Sequence, residues 1–124
     1  MTPARAVQVK NIKSVMENKS KIVKIVVYVS EAYAEVVRLA MGKAGAGKIG
    51  NYTYCSFSSK GVGRFRPEEG AHPNIGEVGK FESVSEERIE AVCERDRVAD
   101  VIKAIKKVHP YEEVALNIYP LEDI

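Results

Sequence analysis

Five consecutive residues, His109-Pro110-Tyr111-Glu112-Glu113, place an imidazole, a phenol and two carboxylates side by side near the C-terminus. An imidazole close to a carboxylate suits a divalent metal or a proton-linked ligand, so His109 and Glu112 are the candidate metal ligands. The competing reading is a histidine that only caps the last carbonyls of a helix. The other histidine, His72, lies too far upstream for the pair to form a short metal-binding motif. The two cysteines, Cys55 and Cys93, make no disulfide framework; they read as small buried apolar residues in a chain of the reducing cytoplasm. No Ser/His/Asp or Cys/His spacing suggests an activated nucleophile, so no catalytic residue is assigned.

Two glycine-rich segments carry weaker signals. Gly42-Lys43-Ala44-Gly45-Ala46-Gly47-Lys48 has the spacing of a P-loop, but Ile49 follows where a magnesium-binding hydroxyl belongs. The surrounding pattern also runs helix then strand, the reverse of a phosphate-cradling loop. These glycines therefore read as a helix stop and turn. Lys60-Gly61-Val62-Gly63-Arg64-Phe65 echoes the motif with which RNA-recognition domains stack bases, yet Val62 and Arg64 occupy the aromatic positions. A milder reading is an anion-accepting loop built from Lys60, Arg64 and Arg66, against a merely solvated basic turn.

Hydrophobic periodicity sets out the elements that must position these residues. The Ile- and Val-rich run from Lys21 to Val29 reads as a buried central strand. Ser30 stands at an N-cap position, and Tyr33, Val36, Val37, Ala40, Met41 and Ala44 follow at helical spacing until Gly45 and Gly47. Tyr52 to Ser58 predicts a second strand; a long glycine- and proline-bearing loop follows, with a short strand through Val62 to Arg66 as an option. Phe81 to Cys93 predicts the third strand, with Ile89, Ala91 and Cys93 on one face. Asp96 is the expected cap of a second helix through Val98, Val101, Ile102, Ile105 and Val108, which Pro110 stops. Val114 to Tyr119 closes the chain as the last strand.

This order predicts an α+β fold: a ferredoxin-like βαββαβ antiparallel sheet with both helices on one face. Residues 21–124 form that domain, and residues 1–20, where Val9, Ile12 and Met16 could make a short helical face, form an N-terminal extension. The first strand has almost no polar face, so a second protomer is expected to cover the sheet. At 124 residues, 45% hydrophobic and 29% charged, the chain has the size and composition of one globular domain. A net charge of +2 demands neither nucleic acid nor an anionic membrane as partner. The longest apolar stretch, Ile22 to Val29, contains Lys24 and is too short to span a bilayer, and no secretory leader follows Met1.

Several of these segments, taken in order, resemble a known family. The His109-Pro110-Tyr111-Glu112 run resembles the corresponding run of the CutA divalent-cation-tolerance proteins. A closer resemblance is to the PII/CutA-like domain inserted in bacterial YqfO-type members of the NGG-interacting-factor-three-like family. It rests on Gly50-Asn51-Tyr52, Cys55-Ser56-Phe57, Gly61 with Gly63, Phe65-Arg66-Pro67, Gly76-Glu77-Val78-Gly79-Lys80, Glu87-Arg88-Ile89-Glu90 and the run from His109 through Tyr119-Pro120-Leu121, spanning about residues 22–121. Tyr54 and His72 stand where that pattern more often has His and Asn, which weakens a metal site built on either. The resemblance implies a ferredoxin-like fold, a homotrimer joined through sheet edges, and grooves between protomers near the long loop. It does not imply the dinuclear metal site of the parent family, which belongs to a flanking domain. Arg66, Glu77, His109, Tyr111, Glu112 and Cys55 are therefore the expected ligand-binding residues of a regulatory-type module that binds a small molecule or divalent metal and has no catalysis of its own. A metal-dependent hydrolase using His109 and Glu112, and a protein-interaction subunit, are the alternatives.

Overall fold

The computed structural model describes residues 20–122, so the expectations for the first nineteen residues lie outside the described residues. Four strands form one sheet: β1 (Ile22–Ser30), β2 (Phe57–Phe65), β3 (Glu82–Glu94) and β4 (Leu116–Pro120). Their spatial order is β2-β3-β1-β4, with every neighbouring pair antiparallel. Helix α1 (Ala34–Lys43) connects β1 to β2, and helix α2 (Val98–Val108) connects β3 to β4. Each connection steps over one strand, which is the expected βαββαβ arrangement.

The core lies between the sheet and the two helices. Alternation places Val23, Ile25, Val27 and Val29 of β1 on the helix-facing side, beside Ile89, Ala91 and Cys93 of β3. Against them α2 buries Val98, Val101, Ile102 and Ile105, as its spacing predicts. Burial pushes the Cys93 thiol up to about 11, so it stays protonated as an apolar filler. Arg38 of α1 ties that helix to the sheet by hydrogen bonds to Glu87 on β3 (2.5 Å) and to the Ser58 hydroxyl on β2 (3.2 Å).

Helix α1 departs from the sequence expectation only at its start. Val37, Met41 and Ala44 pack on the core as expected, but Ala34 is buried in place of Tyr33 and Val36, which are exposed. Tyr33 belongs to a 3-10 turn, Glu31–Tyr33, that separates Ser30 from the first α-helical residue, so it does not share the α-helical phase. Ser30 consequently ends β1 and makes no cap, and Asp96 likewise sits inside a 3-10 turn (Arg95–Arg97) without capping α2.

The second strand also differs. It is one strand from Phe57 to Phe65 and runs straight through Gly61 and Gly63. Residues 52–56 precede it as irregular chain in which Tyr54 has a left-handed backbone, φ 61°. The long β3 supplies a ladder for all nine residues of β2, and that pairing overrides the poor strand propensity of glycine. The sheet face away from the helices is more polar than β1 alone suggests. There Lys24 and Arg88 both pair with Glu90, and Arg88 lies over the Tyr28 ring. Val26, set among them, is fully buried within the single chain.

Candidate ligand cavity

The turn between α2 and β4 is built around His109. As the helix ends, the His109 N–H still donates to the Ile105 carbonyl, and its backbone then turns extended, as Pro110 requires. The buried imidazole bonds through Nε2 to the Tyr28 carbonyl of β1 (2.8 Å), and Nδ1 accepts the Tyr111 N–H (3.2 Å). A carbonyl can only accept, so Nε2 carries the proton and the ring is the neutral tautomer. Burial pushes its pKa below the ordinary histidine value, partly countered by the Tyr28 bond and the nearby Glu86 charge. In this geometry neither nitrogen keeps a lone pair for a metal. Coordination by His109 would require one of the two bonds to break.

His109 thereby fixes Tyr111, whose ring meets the imidazole edge-on at 4.9 Å. The phenol donates to Glu86 Oε2 of β3 at 3.0 Å. Burial and that carboxylate push its pKa up to about 12. Glu86 can lie there because Gly63 on β2 has no side chain: a Cβ would stand 2.0 Å from Glu86 Oε1.

Above this floor the loop 66–81 folds back across the end of the sheet. Its base is stitched by the Gly79 N–H to the Pro67 carbonyl (2.7 Å), and Pro67 itself is buried. Its middle is tied to the turn by the His72 N–H, which donates to Glu112 Oε1 at 2.7 Å. Between loop, turn and sheet lies an open cavity of about 300 Å³. The loop contributes Pro67, Ala71, Pro73, Asn74 and Ile75 to its walls; β2 contributes Gly63, Arg64 and Phe65; β3 contributes Glu86. The turn contributes Tyr111, Glu112, Glu113 and Ala115. The volume sits at the small end of the range for small-molecule sites, and the mixture of apolar walls with a few polar groups is typical of them.

Of the residues singled out from the sequence, Tyr111 and Glu112 line this cavity, and His109 supports it from behind. The other three are elsewhere. Arg66 is turned onto Glu68 (3.0 Å) and over the Phe81 ring, and Glu77 pairs with Lys80 at 2.5 Å. Cys55 sits in a separate crevice against Met41 and Gly42 of α1. The proposed anion-accepting loop is likewise altered. Lys60 and Arg64 belong to β2, Lys60 pairs with Glu31 (3.8 Å), and only Arg64 reaches the cavity. Among the described residues no three His, Cys, Asp or Glu side chains come together as a metal-ligating group. Glu86 has no place among the motifs of the sequence, and Gly63 and Phe65 stand there only as motif residues and not as expected site residues. The one hint of Glu86 was its parity with Arg88 and Glu90 on the polar side of β3.

Comparison with known proteins agrees with this architecture. No family model matches the chain. It is 54% identical over 99 residues to a GTP cyclohydrolase 1 type 2 homolog of Bacillus subtilis strain 168, covering 80% of this chain and 26% of the relative. A Staphylococcus aureus protein of the same description is 32% identical over 112 residues, covering 90% of this chain and 31% of that one. The chain thus spans between a quarter and a third of these curated relatives. Among solved structures, a Bacillus cereus protein related to NIF3 superposes with a TM-score of 0.73 at 40% identity, over 93% of this chain and 32% of the other. The periplasmic divalent cation tolerance protein CutA from Archaeoglobus fulgidus superposes with a TM-score of 0.59 at 21% identity, over 83% and 86% of the two chains. For GlnK of B. subtilis the TM-score is 0.51 at 19% identity, over 83% and 87%. The chain has the ferredoxin-like fold shared by CutA and GlnK, and it is homologous to one segment of the longer GTP cyclohydrolase 1 type 2 homologs.

Proposed function

We propose that this chain is a cytoplasmic, regulatory-type module that binds a small organic ligand in the cavity under the loop 66–81, as a homotrimer and without catalysis of its own. The observation that carries the reading is the construction of that cavity: a pre-organised floor, His109–Tyr111–Glu86, below a loop pinned by Glu112. The same floor argues against acid–base chemistry. A general acid or base works best with a pKa near the ambient pH, whereas the Tyr111 phenol is pushed up to about 12 and the His109 nitrogens are both engaged. The free thiols, Cys55 half-exposed and Cys93 buried, suit a reducing compartment.

The trimer follows from the family resemblance and is supported by what the single chain leaves open. The outer edge of β2 has no strand partner among the described residues, and Phe57 at its start is 68% exposed. A metal-dependent reading, with His109 and Glu112 as ligands, would require the turn to rearrange.

A thermal-shift screen of metabolites, nucleotides and divalent cations on the full chain tests the proposal. An organic compound should raise the melting temperature, and Ala115→Trp, which fills the cavity, should abolish that rise. Stabilisation by a divalent cation alone, reversed by a chelator, would establish the metal reading instead.

A further inference from the structure

The charges around the cavity are strongly unequal. Three carboxylates, Glu86, Glu112 and Glu113, line it, against the single guanidinium of Arg64. The neighbouring cations are already neutralised: Arg66 by Glu68 and Lys80 by Glu77. Glu86 accepts the Tyr111 hydroxyl through Oε2, and Glu112 accepts the His72 N–H through Oε1. Each carboxylate has a second oxygen that makes no hydrogen bond among the described residues, and Glu86 Oε1 is the one facing Gly63. The three acidic side chains do not gather into a chelating set, so they act as separated acceptors and not as a metal cage. Between them the walls are apolar: Phe65, Pro67, Pro73, Ile75 and Ala115.

From this combination, and resting on the proposal that the cavity binds a ligand, we infer that its ligand is a small organic cation: a protonated amine on a compact apolar or aromatic body. The ammonium group donates to the unoccupied carboxylate oxygens, and the apolar body lies against the proline, phenylalanine and isoleucine walls. Phosphates and other polyanions are repelled, because their charge meets a lining with two more negative than positive side chains.

The test uses three probes of nearly one shape, titrated into the isotopically labelled full chain and followed by the amide shifts of Gly63, Tyr111 and Ala115. Phenethylamine is the cation, phenethyl alcohol the neutral isostere and hydrocinnamate the anion. Phenethylamine should shift these amides at the lowest concentration and hydrocinnamate at the highest. Raising the salt should weaken only the amine. Exchanging both exposed carboxylates, Glu112→Gln with Glu113→Gln, should weaken the amine about fivefold more than it weakens the alcohol. If the alcohol or the acid binds there as well as the amine, the inference of a cationic ligand is overturned while a ligand-binding cavity stands. If none of the three moves these amides, both are overturned.

Discussion

At the scale of single residues, His109 is a clamp whose protonation state is set by geometry. Its Nδ1 must accept the Tyr111 N–H, which a doubly protonated ring cannot do. The folded chain therefore holds the imidazole neutral to a lower pH than the unfolded chain, in which histidine titrates near its ordinary value of 6.5. Below that value the unfolded state takes up a proton that the folded state resists. Stability is thus complete above it and declines as the pH falls toward the lower folded-state pKa. Urea midpoints measured from neutral to mildly acidic pH should show this decline, and His109→Gln should flatten it. An unchanged slope in the variant would contradict the clamp. Tyr111→Phe removes the donor to Glu86 and should lower stability by about 1–2 kcal/mol in equilibrium denaturation.

At the scale of elements, the glycines of β2 and of the preceding turn rank themselves by what a methyl group would meet. At Gly47 the backbone is left-handed, φ 83°, and a Cβ would stand 2.3 Å from the Cys55 carbonyl oxygen. Gly47→Ala should therefore lose roughly 1–3 kcal/mol of stability, the range expected for enforced backbone strain. At Gly63 the obstacle is the end of the Glu86 side chain, which can swing aside. Gly63→Ala should lose no more than the Tyr111–Glu86 bond contributes, about 1–2 kcal/mol, and should remove the energetic coupling between Tyr111 and Glu86 in a double-mutant cycle. Gly61 meets nothing within 4 Å, so Gly61→Ala should be neutral or slightly stabilising. Thermal denaturation of the three variants measures this order.

The same glycines mark where sequence reading stops. β1, β3 and α2 are legible because their signal is local: the Val and Ile run of β1, the alternation of Ile89, Ala91 and Cys93, and the Val98, Val101, Ile102, Ile105 spacing. β2 is not, because Gly61 and Gly63 become strand only through the ladder offered by β3. In the cavity, Tyr111 and Glu112 stand out as neighbours in one polar run. Glu86 enters through the strand register that sets Gly63 beside it, and no local pattern reports a register. Arg66, Glu77 and Cys55 stand out by type and motif, yet Arg66 pairs with Glu68, Glu77 with Lys80, and Cys55 lines a separate crevice.

At the scale of the whole molecule, the sheet is open at both ends, with β2 and β4 each paired on one side among the described residues. One helix layer covers one face, and Phe57 and Tyr119 stand exposed on the other. Such a chain can cover its exposed edge and apolar side chains by association, and a groove between protomers would extend the cavity beyond what one chain supplies. Phe57→Lys should then shift the protein toward smaller species in analytical ultracentrifugation without unfolding the single domain.

The central claim, an oligomeric module that holds a small organic molecule in the cavity under its loop, is tested most directly by native mass spectrometry of the full chain purified without chelator. The account predicts a complex of three 13.7 kDa chains that gains the mass of the small molecule identified in the thermal-shift screen. Ala115→Trp should keep the trimer and lose that added mass. A monomer, or a trimer that takes up only metal ions in both forms, would contradict it.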